Sequence, residues 1–561
     1  MFRRSSGSVL ITALLVLTAL ADAPIARLAL PDAETAAILS LTNAQKAQQV
    51  ISRLTFGARP GDLEKVTAIG AENYIRQQLD PYSFNDSEMD KRLAKLSTLN
   101  LPTPTLAEQY NPPKPKATPT PQTASTPAVQ AAPAVAETPQ PQTSPAAKPT
   151  PTPKNPNMVV NELRRAKLLR AVYSDRQLYE MMVDFWENHF SIYANKDSDR
   201  WLLTAFDRDS VRPYAMGRFR DLLGSVAHSP AMLYYLDNWQ SSVLREYPAT
   251  KSRPARKSGG INENYARELM ELHTLGVDGG YTQKDVQEVA RCLTGWTVRK
   301  PNEEGTFIYN PNMHDNGEKT VLGIKILAGG GISDGERVLD ILAKSPATAK
   351  FISTKLARRF LGDTPPQTAI DRAAKVYLAT DGSITAVLRT LLLSKEFFSP
   401  SAFQSKVKTP FEYVASALRA TNAATDGDAP ITNWIARMGQ PIYGRVTPDG
   451  YPDVASEWLS GNDLLSRLNF AGSLVMNKIK GTTINVDELI GGTDPSNMPA
   501  RVINAVLMNN AADKTKLALV NVSSKEVPPV TSPPAKPTDP DRALAEQMIA
   551  LALGSPEFQH R

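Results

Sequence analysis

The chain has 561 residues, of which 42% are hydrophobic and 21% charged. That is enough apolar content for large folded cores and too much for wholesale disorder. Lys and Arg number 63 against 57 Asp and Glu, a net +6 that is thin over this length and backed by no dense basic run, so nucleic-acid binding is not implied. The single cysteine, Cys292, excludes an intrachain disulfide, a multi-cysteine zinc site and c-type haem attachment.

In chain order, the first element is a targeting segment. Arg3 and Arg4 precede a short apolar run at 9–20, and Ala19-Leu20-Ala21 fits a small-x-small cleavage site. Residues 1–21 therefore read as a signal peptide, which makes the mature chain periplasmic or secreted. The general secretory and twin-arginine routes both stay open. No later stretch approaches the roughly 20 apolar residues of a spanning helix, so no transmembrane span is expected after cleavage.

Residues 22–101 form an N-terminal helical part. Thr42 is placed to cap a helix whose apolar positions are Ala44, Ala47, Val50, Ile51 and Leu54. Residues 102–157 hold 16 of the 44 prolines among Thr, Ala, Gln and Lys. That composition predicts a long disordered insertion, biased to extended polyproline II. The main helical domain is expected at 158–480 and a C-terminal helical segment at 481–561, with a Pro-rich loop at 524–540. Helical patterns run over 159–190, 199–226, 262–276, 282–294, 334–344, 346–361, 366–380, 384–397, 408–422, 455–480, 498–508 and 541–553. A basic loop interrupts them at 248–260. A β-hairpin is predicted near 305–327, with Asn316-Gly317 at its tip. The fold class is thus mainly α, a multi-helix globular domain with one small β-hairpin and a long Pro-rich insertion. The segments LLLSKEFF near 391–398 and ALGSPEFQ near 552–559 echo each other, each a helix followed by Ser-x-Glu-Phe.

Several segments carry a resemblance: SRLTFGARPGDLEKV (52–66), MMVDFWENHFSI (181–192), SPAMLYYLDN (229–238), NENYARELMELHTLGVDGGYTQKDVQEVARCLTGW (262–296), HDNGEKTVLG (314–323), KLARRFLGD (355–363) and GSPEFQ (554–559). Together they resemble the bacterial "domain of unknown function 1800" family. The resemblance implies an exported, mostly helical protein without an assigned activity. It also implies a possible partner, an exported sulfatase-like protein encoded beside family members.

The five histidines are scarce enough to weigh singly. Leu178, Met182, Phe185 and His189 fall on one helical stripe, which puts His189 on the buried side. Asn262 is a helix cap, and Glu268 and Glu271 lie three apart on one face. His273 follows Leu269 by four on the apolar side, about 140° round from Glu268 at about 100° per residue. Glu271 and His273 therefore cannot chelate one ion while both stay helical. His228 ends one helix before Ser229-Pro230, and His314-Asp315 falls in the expected hairpin turn. Each histidine alone is accounted for by packing or capping. Taken jointly, His189 beside Glu187, His273 beside Glu271, and His314 beside Asp315 are the residue types of a helical-bundle metal site or of acid–base chemistry.

The catalytic candidates are Glu268, Glu271, His273 and His189. The metal candidates are His189, His273, His314 and Asp315, for a divalent ion; the sequence leaves the cofactor otherwise open. No nucleophile elbow, phosphate-cradling loop or His-Glu-x-x-His motif is present. Gly329-Gly330-Gly331 reads as a tight loop, and Cys292 as a core thiol. Two functions follow as expectations. The first is a cell-envelope binding or assembly protein acting with a partner, with Tyr234, Tyr235 and Trp239 as an aromatic surface. The alternative is a periplasmic metal-dependent, hydrolase-like enzyme. Arg267 and Arg291, if set beside Glu268 and Glu288, would make those carboxylates structural.

Overall fold

The computed structural model describes residues 41–110, 154–492, 497–523 and 540–561. The signal segment, most of the Pro-rich insertion and nearly all of the 524–540 loop lie outside the described residues. Helices dominate, and the strands form four two-stranded antiparallel sheets among the described residues. No helix there is long and apolar enough to cross a membrane.

Local chemistry sets many of the helix starts. Thr42 caps Asn43–Leu54 in a reciprocal box with Gln45, and Thr282, Thr409 and Ser460 do the same for Gln283–Cys292, Pro410–Ala420 and Gly461–Val475. Each box satisfies N–H groups that a helix end otherwise leaves open. Asn262 accepts from the Tyr265 amide at 3.1 Å, as its position predicts.

Two large cores are buried. The first gathers apolar side chains from Val50 through Phe397. The second runs from Phe411 to Phe558 and recruits Phe56, Leu168, Ala171, Val172 and Met181. The Asn157–Tyr173 helix serves both: Val159, Leu163 and Ala166 face the first, while Leu168, Ala171 and Val172 face the second. A helix with apolar residues on opposing faces is what a wall between two cores requires. The Ser-x-Glu-Phe echo is one turn used twice. Ser394 and Ser555 each accept from the amide three residues on, at 3.2 and 3.3 Å, burying Phe397 in the first core and Phe558 in the second.

Three expectations need correction. Thr103–Tyr110 is helical and buries Leu106, Ala107 and Tyr110, so the segment expected to begin an insertion at 102 is still core. Its prolines at 102 and 104 sit at the helix start, where a missing N–H costs nothing. The strand Thr306–Tyr309 pairs backward with Trp296–Arg299, and Lys319–Val321 pairs with Ile324–Ile326. The turn of that second hairpin is Leu322-Gly323, both at positive φ, the conformation a two-residue hairpin loop demands. Asn316-Gly317 is instead part of a turn in which the Gly317 amide donates to Asp315. Finally, Tyr234 and Tyr235 are buried, and the Tyr235 hydroxyl donates to the Val446 carbonyl at 2.7 Å. They support packing and form no aromatic surface.

Candidate functional site

A cleft of about 230 Å³ opens where the two cores meet. One wall comes from Lys167, from the end of the Gln177–His189 helix (Asp184, Glu187, His189) and from the Pro346–Leu361 helix (Lys355, Arg358, Arg359). The other comes from Thr409, Phe411 and the 440–453 segment, including Tyr443, Arg445, Asp449, Tyr451 and Asp453. The helix geometry explains the first wall. On Pro346–Leu361, Ile352, Leu356 and Phe360 are buried in the first core, so the cations at 355, 358 and 359 are left on the side facing the seam.

Most charges lining the cleft are matched. Lys167 bridges Asp184 at 2.8 Å and Glu187 at 2.7 Å. Burial opposes its charge, but these two carboxylates outweigh that and raise its pKa. Glu187 also accepts from the Tyr443 hydroxyl at 2.9 Å, and burial pushes its pKa up to about 7. Arg359 pairs with Glu412 at 2.8 Å and Asp184 at 3.4 Å. Arg445 pairs with Asp449 at 2.9 Å, and Asp453 with Lys406 at 2.8 Å. Behind the wall Arg561 reaches the same Glu412 at 3.0 Å.

Two cations are left over. Arg358 makes no hydrogen bond or ion pair among the described residues, and its Nε is buried without a partner. Lys355 has a single bond, donated by Nζ to His189 Nδ1 at 2.8 Å. His189 Nε2 faces the His273 carbonyl at 3.1 Å and must donate to it, which leaves Nδ1 as the acceptor. Burial, then the Lys355 charge, hold the His189 pKa well below that of a free imidazole. Burial also pulls Lys355 down to about 8, with Arg358 adding to the fall and Asp453 and Asp449 opposing it.

The residues singled out from the sequence fall in three places. His189 and His273 do meet, with ring centroids 6.1 Å apart. Their approach depends on a break the periodicity did not show: Glu263–Met270 gives way to a π-helical turn at Glu271–Leu275. Such turns reset the register of a helix face. His273 is buried with its Nε2 unpartnered, and burial followed by Lys355 pushes its pKa down to about 3. Glu268 and Glu271 lie off the cleft wall. Glu271 accepts from Tyr281 at 2.8 Å. Glu268 is raised by burial, then by Glu271, with Asp449 contributing.

His314 and Asp315 lie elsewhere. His314 Nδ1 donates to the Thr294 carbonyl at 2.8 Å, and Nε2 faces Asp334 at 3.1 Å. Asp334 is also bound by the buried Lys319 at 2.6 Å. Asp315 is held by Arg291 at 2.8 Å, and Arg291 by Glu288 at 2.8 Å. That is the structural ion-pair network expected at Arg291, whereas Arg267 turns to Gln283 and Glu263. Both ring nitrogens of His189 and both of His314 are thus engaged by protein groups. Among the described residues no three His, Cys, Asp or Glu side chains are grouped to hold a metal ion. His228 caps its helix and reaches Glu336 at 2.8 Å, stacked on Trp296.

Lys355 and Arg358 carry the site and were not among the sequence candidates. Their signal was present: KLARRF sets cations at i, i+3 and i+4 on a helix otherwise built for a core.

These features define a class, a mainly helical protein with a cationic cleft between two cores. The chain belongs to the family described as "Protein of unknown function (DUF1800)", whose match covers residues 49–560. No curated protein and no solved structure matches the chain.

Proposed function

We propose that this chain is an exported cell-envelope protein that binds a small oxyanion, or the oxyanion group of a partner, in the cleft at Lys355 and Arg358. One observation carries the reading: of the charges lining the cleft, these two cations have no carboxylate partner. Both are half-buried, and an unpaired cation partly withdrawn from water is unfavourable unless something offsets it. A carboxylate, phosphate or sulfate group would take the free guanidinium fork and the ammonium together. The volume suits a compact ligand or the tip of a larger one.

Export rests on the N-terminal charge and apolar run, which leads to a cleavage site. An exported sulfatase-like partner, as the family resemblance implies, would meet the protein in the same compartment. An oxyanion-bearing ligand common to both is the form such cooperation would take. Glu268, Glu271, His314 and Asp315 have no part in this reading, and His189 acts in it only through Lys355.

The test is calorimetry and thermal unfolding of the mature chain with acetate, inorganic phosphate or sulfate against chloride at equal ionic strength. At least one oxyanion should bind and raise the unfolding temperature in the wild type, and the doubly substituted Lys355→Met, Arg358→Gln chain should lose the response. Equal responses in the two proteins, or none in either, would end the proposal.

A further inference from the structure

The left-over lysine differs from an ordinary anion-binding lysine in what holds it. Its one hydrogen-bond partner is a neutral imidazole nitrogen, at 2.8 Å. Donation to His189 Nδ1 takes one N–H and fixes the direction of the amine. In the amine form the lone pair and the second N–H are then free to face the space that Lys355 lines. A desolvated lysine set beside a second cation is the arrangement that makes an amine available as a nucleophile near neutral pH. Arg358 is that second cation, three residues on along the same helix face.

We propose that Lys355 forms an imine with the carbonyl carbon of a 2-oxo carboxylate whose carboxylate is held by Arg358. This rests on the oxyanion reading above and names its ligand class. Residues three apart on a helix have Cβ atoms about 5–6 Å apart. A carboxylate on the Arg358 fork therefore leaves the adjacent carbon within reach of the flexible Lys355 side chain. A ligand with its carbonyl next to its carboxylate meets both groups at once, and 2-oxo acids of a few carbons fit a cleft of about 230 Å³.

The step balances without a redox partner. The ammonium first loses a proton to water in the cleft. The amine lone pair attacks the carbonyl carbon, and the π pair moves to oxygen to give a carbinolamine. The carbon–oxygen bond then breaks and a carbon–nitrogen double bond forms. The oxygen leaves as water, its two hydrogens matching the two lost from the amine. His189 is a positioning residue here: it touches only the amine and fixes its direction, while its own Nε2–H is pinned by the His273 carbonyl at 3.1 Å.

The experiment uses the mature full chain with pyruvate and cyanoborohydride, which reduces an imine to a stable secondary amine. Intact mass and peptide mapping locate the adduct and time its formation. A single adduct should form at Lys355 about tenfold faster than at any exposed lysine, and it should vanish in Lys355→Arg. Arg358→Gln should require roughly tenfold more pyruvate, the loss of one charge-assisted contact. His189→Gln should lower the maximal rate while leaving the half-saturating pyruvate concentration unchanged, which a general loss of structure would not do. Adduct spread evenly over surface lysines, or surviving in Lys355→Arg, overturns the proposal. Acetate or phosphate binding, measured on the same samples, separates the two levels. Binding that persists in Lys355→Arg without any wild-type adduct defeats the imine and leaves the oxyanion site standing. Absence of both defeats the two together.

Discussion

Lys355→Met should make the protein more stable near neutral pH, because it removes a cation that no carboxylate pairs. A lysine whose pKa falls from the usual 10.5 to about 8 on folding carries a penalty of about 3 kcal/mol wherever both states are protonated. Loss of the bond to His189 leaves an imidazole nitrogen without a donor and returns about 1 kcal/mol. Residual water at the cleft mouth reduces the gain further, so the expected net stabilisation is about 1–2 kcal/mol at pH 7.

The pH dependence is the sharper reading. Between about pH 8 and 10.5 the unfolded chain holds the lysine proton and the folded chain does not. Wild-type stability therefore rises through that window relative to the variant. The groups facing the amine are Arg358, Asp453, Asp449, His189 and His273. The two carboxylates and the two imidazoles are all held below their ordinary values, so they lie below that window. Urea unfolding of both proteins at pH 7 and pH 10 checks this. The difference should shrink or reverse at the higher pH. A variant less stable at pH 7, with a gap that does not change with pH, would refute the claim that Lys355 is an unmatched cation.

Three further outcomes follow from buried groups that do not line the cleft. Asp334→Asn removes the carboxylate bound by Lys319 at 2.6 Å and His314 at 3.1 Å, with all three side chains essentially inaccessible. It should cost about 3–5 kcal/mol, read as a fall in the urea midpoint. Glu412→Gln keeps an acceptor for the Thr409 amide but removes the charge shared by Arg359 and Arg561. About 3 kcal/mol should be lost by the same assay, and an unchanged midpoint would mean those guanidiniums are satisfied by other groups. Cys292 is buried with its thiol pushed up to about 12 by burial. A thiol reagent at pH 8 should label it only at the rate of unfolding.

What the sequence reveals here is mostly what a single helix decides alone. The stripe Leu178, Met182, Phe185 and His189 is buried as its spacing requires, and the caps at Thr42 and Asn262 lie where side-chain chemistry puts them. Pairing between segments was less legible. Thr306–Tyr309 has enough alternation to be a strand but nothing in it selects Trp296–Arg299 over the strand that follows. The positive-φ pair Leu322-Gly323 was a weaker turn signal than Asn316-Gly317, which the Asp315 side chain recruits instead. The π turn at Glu271–Leu275, which holds the buried His273, was likewise invisible in the spacing of the apolar residues. Histidine scarcity pointed to His189 and His273, which do lie together. It also pointed to His314, whose two nitrogens are consumed by Thr294 and Asp334.

The site itself was hard to see because its signature is a difference between charges far apart in the chain. Asp184 and Glu187 are claimed by Lys167, Asp449 by Arg445, and Asp453 by Lys406, and only after those pairings are known do Lys355 and Arg358 stand out. A linear charge pattern gives KLARRF as an ordinary solvated face, since cations three and four apart on a helix are usually exposed. Tertiary structure reverses that reading. The same helix buries Ile352, Leu356 and Phe360 in the first core, while the second core closes over its opposite side with Phe411, Ile442 and Tyr443. Cations that would have met water freely on a lone helix are instead half-buried at a seam. A cation without a carboxylate partner is unfavourable there, and an oxyanion bound as proposed would offset that cost.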